Sequence, residues 1–400
     1  MISQRAARGA VVAYRILMLN NVSVRGLERL PRDRYEVASA LSDPDAVLVR
    51  SADMHSVEIP SSVIAVGRAG AGTNNIPVSR LSKRGVPVFN APGANANAVK
   101  ELVIAGLFLA ARNICQAWDY ARNLKGSDEE IDVAVEQGKK KYVGYELPSR
   151  TLGVIGLGAV GVEVANAAHL LGMRVLGFDP QITVQRAWQL SSGVEQALSL
   201  DDLFSRCDMV TVHVPLIEAT RNFVNAARLR LLKDQGVVLN FSRAGIVDEA
   251  AIKEALDGGK LGAYICDFPT NQLKNHAKVV ALPHLGASTG EAEENCAVMV
   301  ADTLKDFLEN GNIRNSVNFP EAVLPRTVNA TRLAIANENV PNMVGQISTA
   351  LAAANLNIAD LLNKSRCELA YTLIDVDGTV PGSVLDQLRK IEGVLNVRAL

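Results

Sequence analysis

Short apolar runs alternate with helix-length amphipathic stretches over most of this chain. In the first part, residues 16–19, 46–49, 63–66 and 86–89 have the composition of buried strands, and the stretches between them complete an α/β unit. Residues 101–122 predict one long buried helix. Residues 128–142 are charged and end in Lys139, Lys140 and Lys141, which reads as a solvated stretch. A second α/β run opens at 152–156, with strands expected at 174–178, 209–214, 237–240, 261–266 and 279–282. Ser288 and Glu291 have capping-box spacing for a helix that reaches about Asn310 and stops at Gly311. Residues 318–325 have the composition of a linker. Residues 329–400 follow a βαββαβ pattern, with strands at 333–336, 358–363, 370–376 and 394–398 and helices at 341–354 and 382–391.

Composition narrows the function classes. At 48% hydrophobic and 21% charged the chain has ample core material. Its 41 Lys+Arg and 42 Asp+Glu nearly cancel, so no broad basic face is implied and nucleic acid is not an expected partner. The five cysteines are scattered without CxxC spacing. That pattern predicts reduced thiols in a cytoplasmic protein, with neither a disulfide framework nor a metal site. The longest apolar run, 102–111, is too short to span a bilayer, so no membrane association is expected. Residues 1–13 are basic and Ala-rich but lack the apolar core of a signal peptide, and read as a short disordered extension.

The strongest chemical motif is Gly156-Leu-Gly158-Ala159-Val160-Gly161. GxGxxG alone is a weak signal. Here it follows a strand and opens a helix whose apolar positions Val160, Val164, Ala168 and Leu171 share one face. Such glycines permit a tight turn and close backbone approach, and the helix N-terminus offers free amides to a pyrophosphate. The next strand ends in Asp179, where a carboxylate accepts ribose hydroxyls and repels a 2′-phosphate, so NAD is expected over NADP. Gly67-Arg68-Ala69-Gly70-Ala71-Gly72 is also glycine-rich, but no ribose acid follows it. A backbone nest for a carboxylate is the better reading there.

Three segments downstream carry a resemblance: Asn240-Phe-Ser-Arg-Ala-Gly-Ile-Val-Asp248, Cys266-Asp-Phe-Pro269 and Pro283-His-Leu-Gly-Ala-Ser-Thr289. Together they resemble the signatures of the D-2-hydroxyacid dehydrogenases. The 67–72 loop, Asn90-Ala-Pro92 and the terminal βαββαβ pattern are similar to the short phosphoglycerate dehydrogenase branch, which carries a regulatory ACT domain. The resemblance covers essentially the whole chain. It implies two doubly wound Rossmann-like domains, one inserted in the other, plus a ferredoxin-like ACT domain. The substrate domain would be 14–97 plus 288–325, the NAD domain 98–287 and the ACT domain 329–400.

The chemistry of that family needs a base for a hydroxyl proton and a fixed cation for a carboxylate. His284 and Arg243 match its catalytic histidine and arginine. Asn271 stands where the family has a glutamate. An amide there can hold an imidazole N–H, but it cannot stabilise imidazolium by charge. The resemblance further implies that His213, Val214, Pro215, Asp267, Gly286 and Ala287 adjoin the cofactor. It likewise implies that Arg50, Gly70, Ala71, Gly72 and Asn90 line the substrate side, and Arg68, within the glycine nest, is a further cation for a phosphorylated substrate. The terminal unit resembles an ACT domain, whose strand-to-helix loop takes a small amino acid between paired copies, and the short amides of Asn337, Asn339 and Asn357 suit the carboxylate and ammonium of L-serine. The implied reaction is NAD-dependent oxidation of 3-phospho-D-glycerate, the first step of L-serine synthesis, by a homodimer or homotetramer. Its rivals are another D-2-hydroxyacid substrate, glyoxylate or 2-hydroxyglutarate, or an NAD-sensing protein built like a co-repressor.

Overall fold

The computed structural model describes residues 14–400; the extension expected at 1–13 lies outside them. The chain forms two compact units. Glu293–Leu400 gathers with the chain up to Asn95, and Ala96–Ala292 forms the other.

The first unit holds a parallel sheet of β1 (Tyr14–Leu19), β2 (Tyr35–Ala38), β3 (Ala46–Val49), β4 (Ala65–Arg68) and β5 (Val88–Phe89), in the order β2-β1-β3-β4-β5. The second holds a parallel sheet of β6 (Thr151–Ile155), β7 (Arg174–Phe178), β8 (Val194–Gln196), β9 (Met209–Val212), β10 (Gly236–Asn240), β11 (Leu261–Cys266) and β12 (Val279–Ala281). Its order is β12-β11-β10-β9-β6-β7-β8. Every residue of β3, β6, β9 and β10 is buried, which is why these strands read as continuous apolar runs without alternation. The edge strands β2 and β8 are short and partly polar, and no apolar run announced them.

The helical expectations need three corrections. The helix expected over 101–122 is two, Ala96–Arg112 and Ile114–Arg122, because Asn113 between them has φ +50°. Asparagine tolerates that left-handed conformation, so the chain turns there. The charged stretch from 128 is a helix, Asp128–Gly138, with a complete capping box between Ser127 and Glu130 and acids in its first turn. The long helix near the end of the second sheet runs Gly290–Asn310 and is capped by Thr289, whose Oγ1 accepts from the Ala292 amide at 3.1 Å; Ser288 and Glu291 do not form the box.

The last layer is an antiparallel sheet of β13 (Ala330–Glu338), β14 (Ile358–Arg366), β15 (Leu369–Asp377) and β16 (Val394–Ala399), ordered β14-β15-β13-β16. Its inner strands β13 and β15 are buried along most of their length, on both faces, while the edge strand β14 is largely exposed. Leu333, Ile335, Ile374 and Val376 pack on its own helices, Met343–Ala353 and Gly382–Arg389. Ala334, Ala336, Tyr371 and Leu373 join the core of the first sheet with Phe89, Phe307 and Phe319. Arg332, fully buried, fastens this junction. It forms a two-point pair with Asp375 at 2.6 and 2.8 Å and donates to the Leu324 and Pro325 carbonyls at 2.7 and 2.8 Å. Residues 318–325 therefore hold the terminal layer against the first sheet rather than letting it swing free.

Candidate active site

The seven-stranded sheet ends in a straight row. Phe178, Ile155, Val212, Asn240, Cys266 and Ala281 are register partners across β7-β6-β9-β10-β11-β12. Neighbouring strands lie about 4.8 Å apart, so the residues just past this row line up along the sheet's carboxyl edge. They are Asp179, Gly156, His213, the loop carrying Arg243, Asp267 and the turn carrying His284. β6 is where the order reverses, the position at which open α/β sheets bind ligands.

The glycine turn fits a dinucleotide on geometric grounds. Gly156 has φ +87°, and a Cβ there would meet the His213 carbonyl. A Cβ on Gly161 would collide with the Gly156 carbonyl oxygen, so no side chain is possible. At Gly158, the N-cap of the helix Ala159–Leu170, a Cβ would touch nothing within 4 Å. The protein itself does not need that glycine; a ligand approaching the helix amides does. Ala159 and Val160 follow in the first turn. Asp179 is partly exposed and accepts from the Leu157 amide at 2.8 Å and the Gln181 amide at 2.9 Å, which fixes it beside the turn. Its remaining lone pairs suit ribose hydroxyls. His213 donates its amide to the Ile155 carbonyl at 2.7 Å, and its Nε2 lies 3.0 Å from the Thr211 hydroxyl. Burial pushes its imidazole down to about 3, so it is neutral at working pH. Val214 and Pro215 continue this segment outward.

Arg243 is exposed on the loop after β10, its Nη1 donating to the Ser242 carbonyl at 2.7 Å. The loop is stapled by fully buried Asn240, whose amide donates to the Arg243 carbonyl at 2.9 Å and whose oxygen accepts the Ser242 amide at 3.1 Å. His284 sits exposed in a left-handed turn, φ +58°. Its amide donates to the Asp267 carbonyl at 3.1 Å. The buried Asp267 carboxylate accepts the next two amides, Leu285 at 2.9 Å and Gly286 at 2.7 Å. Both carboxylate oxygens thus hold the turn that presents the histidine. Ala287 is exposed just beyond it. Phe268 packs its ring 5.2 Å from the imidazole, tilted by 58°. The supports at Asn240 and Phe268 carried no separate signal in the motif. Asn271 is exposed, and among the described residues neither its side chain nor the His284 imidazole has a hydrogen-bond partner.

The residues expected on the substrate side gather at the carboxyl edge of the first sheet. Val49 pairs with Arg68 and Gly67 with Phe89, so Arg50, Arg68 and Asn90 end adjacent strands. The Asn90 side chain donates to the Ala71 carbonyl, and the Ala91 amide donates to Gly70 at 3.0 Å. These bonds brace the 70–72 loop. Arg50 forms an ion pair with Glu293. Burial raises the Cys296 thiol, with Arg68 and Arg50 pulling it down and Glu293 pushing it up.

The terminal asparagines divide. Asn337 is buried at the far end of β13 opposite Ala370, and Asn339 follows it, donating to the Cys367 carbonyl at 3.0 Å. Asn357 donates to Asp377 at 2.7 Å, at the opposite end of the same sheet. Seven residues of β15 separate those ends, about 24 Å at the usual strand rise. One chain does not bring the three together.

Residues 104–286 match the family model described as D-isomer specific 2-hydroxyacid dehydrogenase, NAD binding domain. The chain is 33% identical over 384 residues to the D-3-phosphoglycerate dehydrogenase of Haemophilus influenzae, spanning 92% of this chain and 89% of that protein. It is 36% identical over 300 residues to the Archaeoglobus fulgidus D-3-phosphoglycerate dehydrogenase, spanning 72% of this chain but only 54% of that longer relative. Among solved structures, the NAD+-bound 3-phosphoglycerate dehydrogenase of Entamoeba histolytica superposes with a TM-score of 0.59 at 25% identity, covering 77% of this chain and 99% of that one.

Proposed function

The chain belongs to the D-isomer specific 2-hydroxyacid dehydrogenase family, among the D-3-phosphoglycerate dehydrogenases, and we propose that it oxidises 3-phospho-D-glycerate to 3-phosphohydroxypyruvate at the head of L-serine synthesis. The observation that carries this reading is the in-register row of strand ends, which lines up Asp179, the glycine turn, the Arg243 loop and the His284 turn on one edge. NAD, when bound, supplies the hydride acceptor. The helix N-terminus at Gly158 would hold its pyrophosphate and Asp179 its ribose hydroxyls.

Arg243 holds the substrate carboxylate through its guanidinium fork and polarises the C2 oxygen. His284 takes the proton from the C2 hydroxyl as the C2 hydride leaves, and in reduction the imidazolium returns it. Neutral His213 adds no competing charge beside the cofactor. A phosphoryl group requires further cations, and Arg50 and Arg68 are the residues this reading assigns to it. Retention of both Arg243 and His284 favours turnover over NAD sensing.

The experiment is NADH consumption with 3-phosphohydroxypyruvate, glyoxylate and 2-oxoglutarate side by side, repeated with Arg243→Ala and His284→Ala. Each substitution should cost about 10²–10⁴-fold with the phosphorylated ketoacid. A wild-type preference for glyoxylate or 2-oxoglutarate would refute the substrate. The same reading makes the terminal sheet an L-serine site. It would have to be composite, Asn337 and Asn339 of one copy meeting Asn357 of another, because one chain holds them far apart.

A further inference from the structure

We propose that Glu293 sets how strongly the substrate pocket takes a phosphoryl group, by competing with it for Arg50. This rests on the substrate reading above and concerns a residue that reading does not use.

Arg50 stands on a fixed backbone. The Asn75 side chain bridges the Arg50 and Ala52 carbonyls at 3.3 and 2.8 Å, and Asn20 accepts the Ser51 and Ala52 amides at 3.3 and 2.6 Å. Only the side chain is free to choose a partner, and its Nη2 takes Glu293, in the first turn of the Gly290–Asn310 helix. The pair lines a cavity of about 400 Å³ with Asn21, Ser23, Ala69 and Ala297. Both side chains are close to 40% exposed, at 43% and 42%, so solvent screens the pair and an incoming anion can break it. The ion pair engages Nη2 of Arg50, so an anion that takes the whole guanidinium fork must take the place of Glu293.

A phosphoryl group carries more charge than a carboxylate and offers three oxygens to the guanidinium fork. It therefore displaces Glu293 from Arg50, at a cost that an uncharged or singly charged ligand of the same pocket does not meet. Glu293 thereby weakens phosphate binding and ties it to a defined exchange of partners. Removing its charge while keeping its shape should strengthen binding of the phosphorylated ligand selectively.

The test compares wild type, Glu293→Gln and Arg50→Ala, with the double variant closing the cycle. KM is measured for 3-phosphohydroxypyruvate and for unphosphorylated hydroxypyruvate, with competitive inhibition by inorganic phosphate measured alongside. Glu293→Gln should lower both the KM for the phosphorylated ketoacid and the phosphate inhibition constant by about two- to fivefold, the range expected for one partly screened like charge nearby. The KM for hydroxypyruvate should move less than about twofold. In the Arg50→Ala background the same change should have no phosphate-specific effect. A phosphorylated-ketoacid KM that stays level or rises in Glu293→Gln overturns the proposal, since Glu293 would then be neutral or would be orienting Arg50 for binding. If wild type itself fails to prefer the phosphorylated ketoacid, the substrate reading fails, and the phosphate inhibition constants still decide the role of Glu293.

Discussion

Truncating Asp267 to alanine tests how the His284 turn is held. His284 adopts φ +58°, a conformation that costs a side-chain-bearing residue roughly 1–2 kcal/mol. Against that stand two hydrogen bonds from the Leu285 and Gly286 amides to a buried carboxylate, each worth about 1.5–3 kcal/mol. The balance favours the turn by at least about 1 kcal/mol and by as much as about 5. Asp267→Ala removes both bonds and leaves the strain unopposed. The turn would then be populated about 3–15% of the time, and kcat should fall about 6- to 30-fold. That is well short of the loss expected for removing the base itself. The assay is steady-state ketoacid reduction together with NADH affinity by fluorescence titration, alongside His284→Ala. Normal turnover in Asp267→Ala would mean the turn is held by something else. A loss as deep as that of His284→Ala would mean that Asp267 acts on the chemistry directly, and the backbone argument would fail.

Asn271 is exposed and touches no described residue through a hydrogen bond, so Asn271→Ala should change kcat by no more than about twofold, the usual range for a surface site. A tenfold loss in that variant would show that the loop closes on His284 during turnover. At the terminal sheet, Asp375→Asn should cost about 3–5 kcal/mol in urea unfolding at neutral pH, because it leaves Arg332 charged and buried without its partner. Equal unfolding midpoints for variant and wild type would refute the clamp. The same pair sets a pH dependence. Burial raises the Asp375 carboxyl, but the Arg332 and Thr327 hydrogen bonds outweigh it and hold the group below its ordinary value of 3.8. A depressed carboxylate contributes stability that is intact above the unfolded value and lost as pH falls through the folded one. The wild-type advantage over Asp375→Asn should therefore persist to about pH 4 and shrink below it.

Local pattern was enough to reveal the alternation of strands and helices, the glycine turn with Asp179 just past the next strand, and the βαββαβ end. In each, the chemistry depends on neighbours in the chain: apolar runs, a positive φ, a helix N-terminus. The Arg243 and His284 motifs were likewise legible, because each is a contiguous segment after a strand. Other features had no local sign. Edge strands β2 and β8 are defined only by pairing with β1 and β7, and the break at Asn113 reflects one residue's tolerance for a left-handed turn rather than any gap in the apolar face. Sequence spacing gave no hint that Asp267 would bond the amides after His284, that Phe268 would lie against the imidazole, or that Glu293 would pair with Arg50. These partners come from different strands and helices, and only sheet order brings them together. The same reason governs the terminal asparagines. Their side-chain chemistry grouped them as one candidate effector site, and only antiparallel pairing shows that Asn337 and Asn357 lie at opposite ends of the sheet within one chain. Periodicity reports which face of an element is buried; which elements meet on that face is decided by packing, a property of the whole chain.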